Sequence, residues 1–176
     1  MVEKPKIPVT AFQASTAWRV ARISIFTALS AVGSFIKPNP TSSIAFDSFA
    51  GFFVALAFGP FEGALVCGFG HLATAVVSGF PFGILHIPIA IGMALAGAAI
   101  GLLNKMHKRW GFIPALIVGV TINTALVFPL VPWLGITLDE GMIIATGIAP
   151  VLAFVAALNA IAAAIVYVAL RGKMRF

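Results

Sequence analysis

Few residues of this chain can do chemistry, and they stand far apart in sequence: Asp47, His71, Thr74, His86, Asn123 and Asn159, preceded by the polar run Asn39, Pro40, Thr41, Ser42, Ser43. One carboxylate, two imidazoles and two amides supply acceptors, donors and exchangeable protons, which is equipment for hydrogen-bonding a polar small molecule. Their surroundings make them conspicuous. The 176 residues are 61% hydrophobic and 9% charged, with a mean hydropathy of +1.09, whereas a soluble domain is about 25% charged. The chain therefore reads as an integral membrane protein. In such a protein, ionisable groups within the apolar helices are costly enough to mark a functional site.

The same inventory excludes several activities. There is no His-x-x-x-His and no glycine-rich phosphate loop, and no pair of carboxylates is expected within one helix, so neither a metalloenzyme nor an ATPase is expected in this chain. Its single cysteine, Cys67, has no thiol partner for a disulfide or a metal site. His71 and His86 are separated by a loop and suit hydrogen bonding better than metal ligation. No metal and no cofactor is expected, and any energy source must come from an ion gradient or a partner. Asp47, two imidazoles and the amides fit a neutral or weakly basic, nucleoside-like heteroaromatic compound with hydroxyls; a doubly charged phosphate would find little cationic compensation.

Each of these side chains also has a structural alternative. Asp47 can cap a helix N-terminus, with Ser48 sharing the task, and Asn123 and Asn159 can join helices through amide hydrogen bonds. Trp133 reads either as an interfacial anchor or as an aromatic wall for a flat ring. Glu62 falls in the first turn of a helix, where a carboxylate favours the helix dipole, and reads as structural rather than catalytic.

Positioning these groups requires a bundle. A hydrocarbon core of about 30 Å takes about 20 residues per crossing, and the apolar runs predict one domain over residues 1–176, an all-α integral membrane bundle of six transmembrane helices. The expected spans are 18–36, 47–58, 61–78, 84–104, 112–130 and 142–170, with the second short and shielded by protein. Prolines and glycines mark the breaks: Pro38 and Pro40, Gly59-Pro60, Ser78-Gly79-Phe80-Pro81, and Pro129 with Pro132. Cys67, His71, Thr74 and Ser78 recur at helical spacing and share one face, expected to point into the bundle. Met1 to Ala17 shows no apolar core followed by a small-residue cleavage site, so no removable signal peptide is expected.

With six crossings and cytoplasmic termini, Lys4, Lys6, Arg19, Arg22, Lys105, Lys108, Arg109, Arg171, Lys173 and Arg175 all fall on the inner face, and Lys37 alone falls outside. That asymmetry is the one the positive-inside rule requires. His71, Asn123 and Asn159 then lie roughly 13 to 18 Å deep at 1.5 Å per residue. Asp47, His86 and Trp133 lie above them, so a cavity opening outward with a polar floor is expected. On helix 1, small residues recur every four positions (Ala17 and Ala21, Ser24 and Ala28, Thr27 and Ala31), a spacing that lets another helix approach closely, in this chain or in a partner.

The Ile44-Ala45-Phe46-Asp47-Ser48 entry to helix 2, the Phe58-Gly59-Pro60-Phe61-Glu62-Gly63-Ala64 turn, Gly70-His71-Leu72 and Ser78-Gly79-Phe80-Pro81 resemble the substrate-binding S components of energy-coupling factor (ECF) vitamin transporters. Within that family, the Asp47, His71 and Ser78-Gly79-Phe80-Pro81 pattern is most similar to the group assigned to α-ribazole, a nucleoside precursor of cobalamin. The resemblance implies a high-affinity vitamin binder in the bacterial plasma membrane that works with a membrane T component and two cytoplasmic ATPases. It also implies a pocket built from the outer loops and the ends of helices 4 to 6, and a docking ridge on helix 1. The family's ridge is usually written with two alanines; here Ser24, Ala28 and Ala31 carry it. Two other classes stay open: a stand-alone ion-coupled carrier, against which no inverted sequence repeat is found, and a small membrane enzyme using His71 and Asp47 as acid and base.

Overall fold

The computed structural model of the protein describes residues 16–38, 44–107 and 109–173. Among the described residues six α-helices follow one another: α1 (Thr16–Gly33), α2 (Ser48–Phe58), α3 (Pro60–Val77), α4 (His86–Met106), α5 (Phe112–Ala125) and α6 (Leu138–Leu170). Short 3-10 turns precede α4 (Gly83–Leu85) and follow α5 (Phe128–Trp133). Among the described residues, four helical stretches are long and apolar enough to cross a membrane: Pro60–Val77, Gly83–Met106, Phe112–Trp133 and Leu138–Leu170. Arg19 and Arg22 lower the hydropathy of α1, and α2 spans only 11 residues.

Local chemistry sets the helix ends. Pro129 has no N–H to give the carbonyl of Ala125, and its ring would crowd that carbonyl, so α5 stops at Ala125 rather than running on to residue 130. At the other side of this connection, Thr137 and Glu140 form a capping box: the Glu140 N–H donates to Thr137 Oγ1 at 3.3 Å and the Thr137 N–H donates to Glu140 Oε2 at 3.0 Å. That box starts α6 at Leu138, four residues before the start expected from hydropathy alone. At the end of α3, Gly79 takes φ 73°, and the N–H groups of Phe80 and Gly79 donate to the carbonyls of Ala75 and Val76 at 2.8 and 3.1 Å. This is a Schellman closure, which needs a residue tolerant of left-handed backbone at that point. The next residue, Phe80, is itself at φ 53°, rare for a bulky side chain.

Helix α2 is the axis of the bundle, buried along nearly its whole length and packed by α1, α3, α4 and α6. Its short span is tolerated because protein, not lipid, surrounds it. Helices α3 and α4 come into close backbone approach at two glycines: a Cβ on Gly97 would stand 2.6 Å from the carbonyl carbon of Gly63, and one on Gly101 would stand 2.5 Å from Pro60 Cα. Small residues at such crossings permit the backbone approach that drives helix association in lipid.

Glu62 is buried at the α1–α3 contact. Arg22 donates to both of its carboxylate oxygens at 2.7 and 2.9 Å, and Arg19 adds a third bond at 3.2 Å. The guanidinium groups lie over the rings of Phe58 and Phe61, so this carboxylate anchors α1 to the α2–α3 corner. Breaking a fully buried pair costs about 3–5 kcal/mol, but the Arg19 side chain is 44% exposed and Arg22 18%. Glu62→Gln is therefore expected to cost about 1–2 kcal/mol, read as a lower thermal midpoint of the purified protein. An unchanged midpoint would remove this anchor from the fold's energetics.

Candidate functional site

The N-terminal end of α2, the C-terminal halves of α3 and α5, the N-terminal half of α4 and α6 as far as Asn159 gather around one space. They enclose a cavity of about 200 Å³. Most of its wall is aliphatic, from Ile89, Met93, Leu126, Leu130, Ile148 and Leu152 among others, with Phe82 at its rim. Asp47, Ser48, His71, Asn123 and Asn159 are the polar groups of the wall. Such a mixture, mostly apolar with a few convergent polar groups, is the usual composition of a small-molecule site.

Asp47 precedes α2 and is 6% exposed, yet its side chain does not cap that helix. Thr74 Oγ1 from α3 donates to one carboxylate oxygen and Ser48 Oγ donates to the other at 3.0 Å. The helix end is capped from elsewhere. Asn159 of α6 accepts the Phe49 N–H at 2.7 Å and donates to the carbonyls of Ala45 and Val155 at 3.2 and 2.9 Å. Asn159 therefore meets the cavity with its amide already engaged, and the alternative in which it joins helices describes its bonds. Asn123 differs: its side chain lines the cavity and makes no hydrogen bond to a described residue.

Thr74 and His86 stand one layer behind the wall, both 0% exposed. His71 Nε2 lies 3.0 Å from His86 Nδ1, and the rings of Phe80 and Phe82 pack on His86 with centroids 5.7 Å away. The loop carrying these rings is held by Lys37, whose Nζ donates to Ser78 Oγ at 3.0 Å. No group of three or more metal-ligating side chains occurs among the described residues.

The structure thus brings Asp47, His71, Asn123 and Asn159 to one cavity from four segments of the chain, with Thr74 and His86 supporting the first two. Trp133 is not with them. It ends the 3-10 turn after α5 and is 74% exposed, away from the cavity wall, because the early stop of α5 turns it outward; its interfacial-anchor alternative matches that place. Asn39 and Thr41 lie outside the described residues. On α1, Ser24 and Ala28 are exposed and Ala31 is half-buried. The aliphatic lining had no signal in the sequence, since cavity, core and lipid-facing residues are of the same types. Ser48 could have been found from its position beside Asp47.

An apolar bundle that closes around a pocket with a few buried polar contacts defines a membrane-embedded small-molecule-binding protein. The family model described as ECF transporter, substrate-specific component, matches residues 19–171, and the chain belongs to that family. No curated protein and no solved structure matches it. As a substrate-specific component it is a multi-pass membrane protein of a transporter, with a substrate and a T component and ATPase module as partners. The family is one of transporter components rather than of enzymes.

Proposed function

We propose that the protein captures a neutral, nucleoside-like heteroaromatic cofactor precursor such as α-ribazole from outside a bacterial cell, without altering it. The carrying observation is the cavity itself, where Asp47, His71 and Asn123 stand in a wall that is mostly apolar. A dry protein cavity of about 150 Å³ holds benzene. A volume of about 200 Å³ suits a fused bicyclic ring, leaving a sugar to extend toward the opening. Asp47 would accept hydrogen bonds from ligand hydroxyls, and the amide of Asn123 would both donate and accept.

The orientation follows from charge. With six crossings and both termini in the cytoplasm, the cavity end faces outward and Arg19, Arg22, Lys105, Arg109, Arg171 and Lys173 face the cytoplasm. The exposed Ser24 and Ala28, with Ala31 beside them, would form the surface of α1 on which the T component docks, while two cytoplasmic ATPases supply the energy.

Native mass spectrometry on gently extracted protein tests the substrate: α-ribazole, or a compound of its class, should be released intact in a one-to-one ratio. Recovery of a multiply anionic compound, or of a chemically converted product, would overturn the reading. Ala28→Trp should leave binding within about twofold but reduce transport by tenfold or more, since helix apposition depends on the small side chain. Co-purification of this variant with the T component at wild-type yield would contradict the docking surface.

A further inference from the structure

We propose that His86 is a positioning residue that fixes the ring of His71 as its Nδ1–H tautomer, so that the cavity presents a donor there and selects ligands with an sp2 nitrogen acceptor. The inference rests on the small-molecule-binding reading above, but not on α-ribazole being the ligand.

The argument is a count of donors. The Phe82 N–H points at His86 Nε2 across 3.4 Å, so that nitrogen must carry a lone pair; an N–H in its place would set two donors against each other. A neutral imidazole with a free Nε2 carries its proton on Nδ1. His86 Nδ1 lies 3.0 Å from His71 Nε2, and therefore donates to it. His71 Nε2 is then the acceptor, which leaves the His71 proton on Nδ1. That nitrogen bonds to no described residue, and His71 lines the cavity. The polar side-chain atoms that are both sealed and unpartnered among the described residues are those of Thr27, Ser30 and Thr124. His71 Nδ1 is not one of them, so its N–H opens onto the cavity.

The surroundings hold the relay in place. His86 is 0% exposed, and the Phe80 ring meets its own edge-on at 77°. The loop that supplies the Phe82 N–H begins with the Schellman closure at Gly79. The backbone of the loop thereby dictates, through two imidazoles, which nitrogen of His71 faces the ligand. Asp47 offers only acceptors on the same wall. A ligand that both donates and accepts is then favoured in the orientation that sets its acceptor at His71 and its donors at Asp47.

Because the chain has three histidines, ring nitrogen NMR on full-length protein labelled with 15N-histidine is readily assigned, using His107→Gln to remove the third signal. In the unliganded wild type, both His71 and His86 should show the Nδ1–H pattern. His86→Leu should release His71 to the Nε2–H form, while His86→Asn, whose amide can replace the donor, should retain Nδ1–H. Benzimidazole and indole are bicycles of equal size that differ in the acceptor nitrogen. Benzimidazole should bind wild type and His86→Asn about tenfold tighter than indole, and His86→Leu should lose most of that preference. An Nε2–H tautomer at His71 in the wild type, a tautomer unchanged by His86→Leu, or no preference for benzimidazole, including failure of both probes to bind, would overturn the proposal. Failure of α-ribazole to bind while the preference persists would instead reject the substrate proposed above.

Discussion

Gly97→Val is expected to destabilise the protein by about 3 kcal/mol or more, the upper range for overpacking. The added Cβ would lie 2.6 Å from the carbonyl carbon of Gly63 and 2.9 Å from Cys67 Sγ. The first of these is backbone, which cannot swing aside as a side chain would, so α3 and α4 must separate. Separation would also disturb Gly51, which lies against the same Cys67, and so would loosen α2 from its neighbours. Gly147→Val on α6 is the matched control, because a Cβ there meets nothing within 4 Å. Size-exclusion profiles and thermal midpoints of the purified variants should show loss of the folded species for Gly97→Val and little change for Gly147→Val. Equal midpoints would refute the claim that backbone contact holds α3 to α4.

His71→Ala is expected to weaken binding of the proposed ligand, α-ribazole, by more than about 1.5 kcal/mol, over tenfold in affinity, as follows when a buried polar partner is left unpaired. The substitution removes the one imidazole on the cavity wall and also orphans His86 Nδ1, which is 3.0 Å from it. Stability must therefore be measured alongside affinity. Trp133→Ala supplies the contrast: the ring is 74% exposed and its loss should change affinity by less than about twofold. Calorimetry on both variants decides the matter, since a His71→Ala protein with wild-type affinity would take the imidazole out of the site.

The polar side chains were legible because the chain is so apolar: a lone Asp47, two histidines and two asparagines within apolar runs stand out against a background of 61% hydrophobic residues. Their periods on helices also indicated shared faces. The Thr137–Glu140 capping box was present in the sequence as Thr-x-x-Glu, and hydropathy alone placed the start of α6 too late because acidic residues in a first turn look like loop. Glu62 read as a dipole partner of α3, but its two arginines come from α1, about 40 positions away. No local pattern encodes that pairing.

The sequence by itself determined that this is a helical membrane protein with few buried polar groups, because hydropathy and proline and glycine punctuation act over short distances. Tertiary structure alone decided which of those groups are free for a ligand. Asp47 gave up its helix to Asn159, Asn159 is consumed by three backbone bonds, and Asn123 bonds to no described residue. The physical reason is that a hydrogen-bonding side chain is spoken for or available according to what packs beside it in space, and those neighbours come from helices distant in the chain.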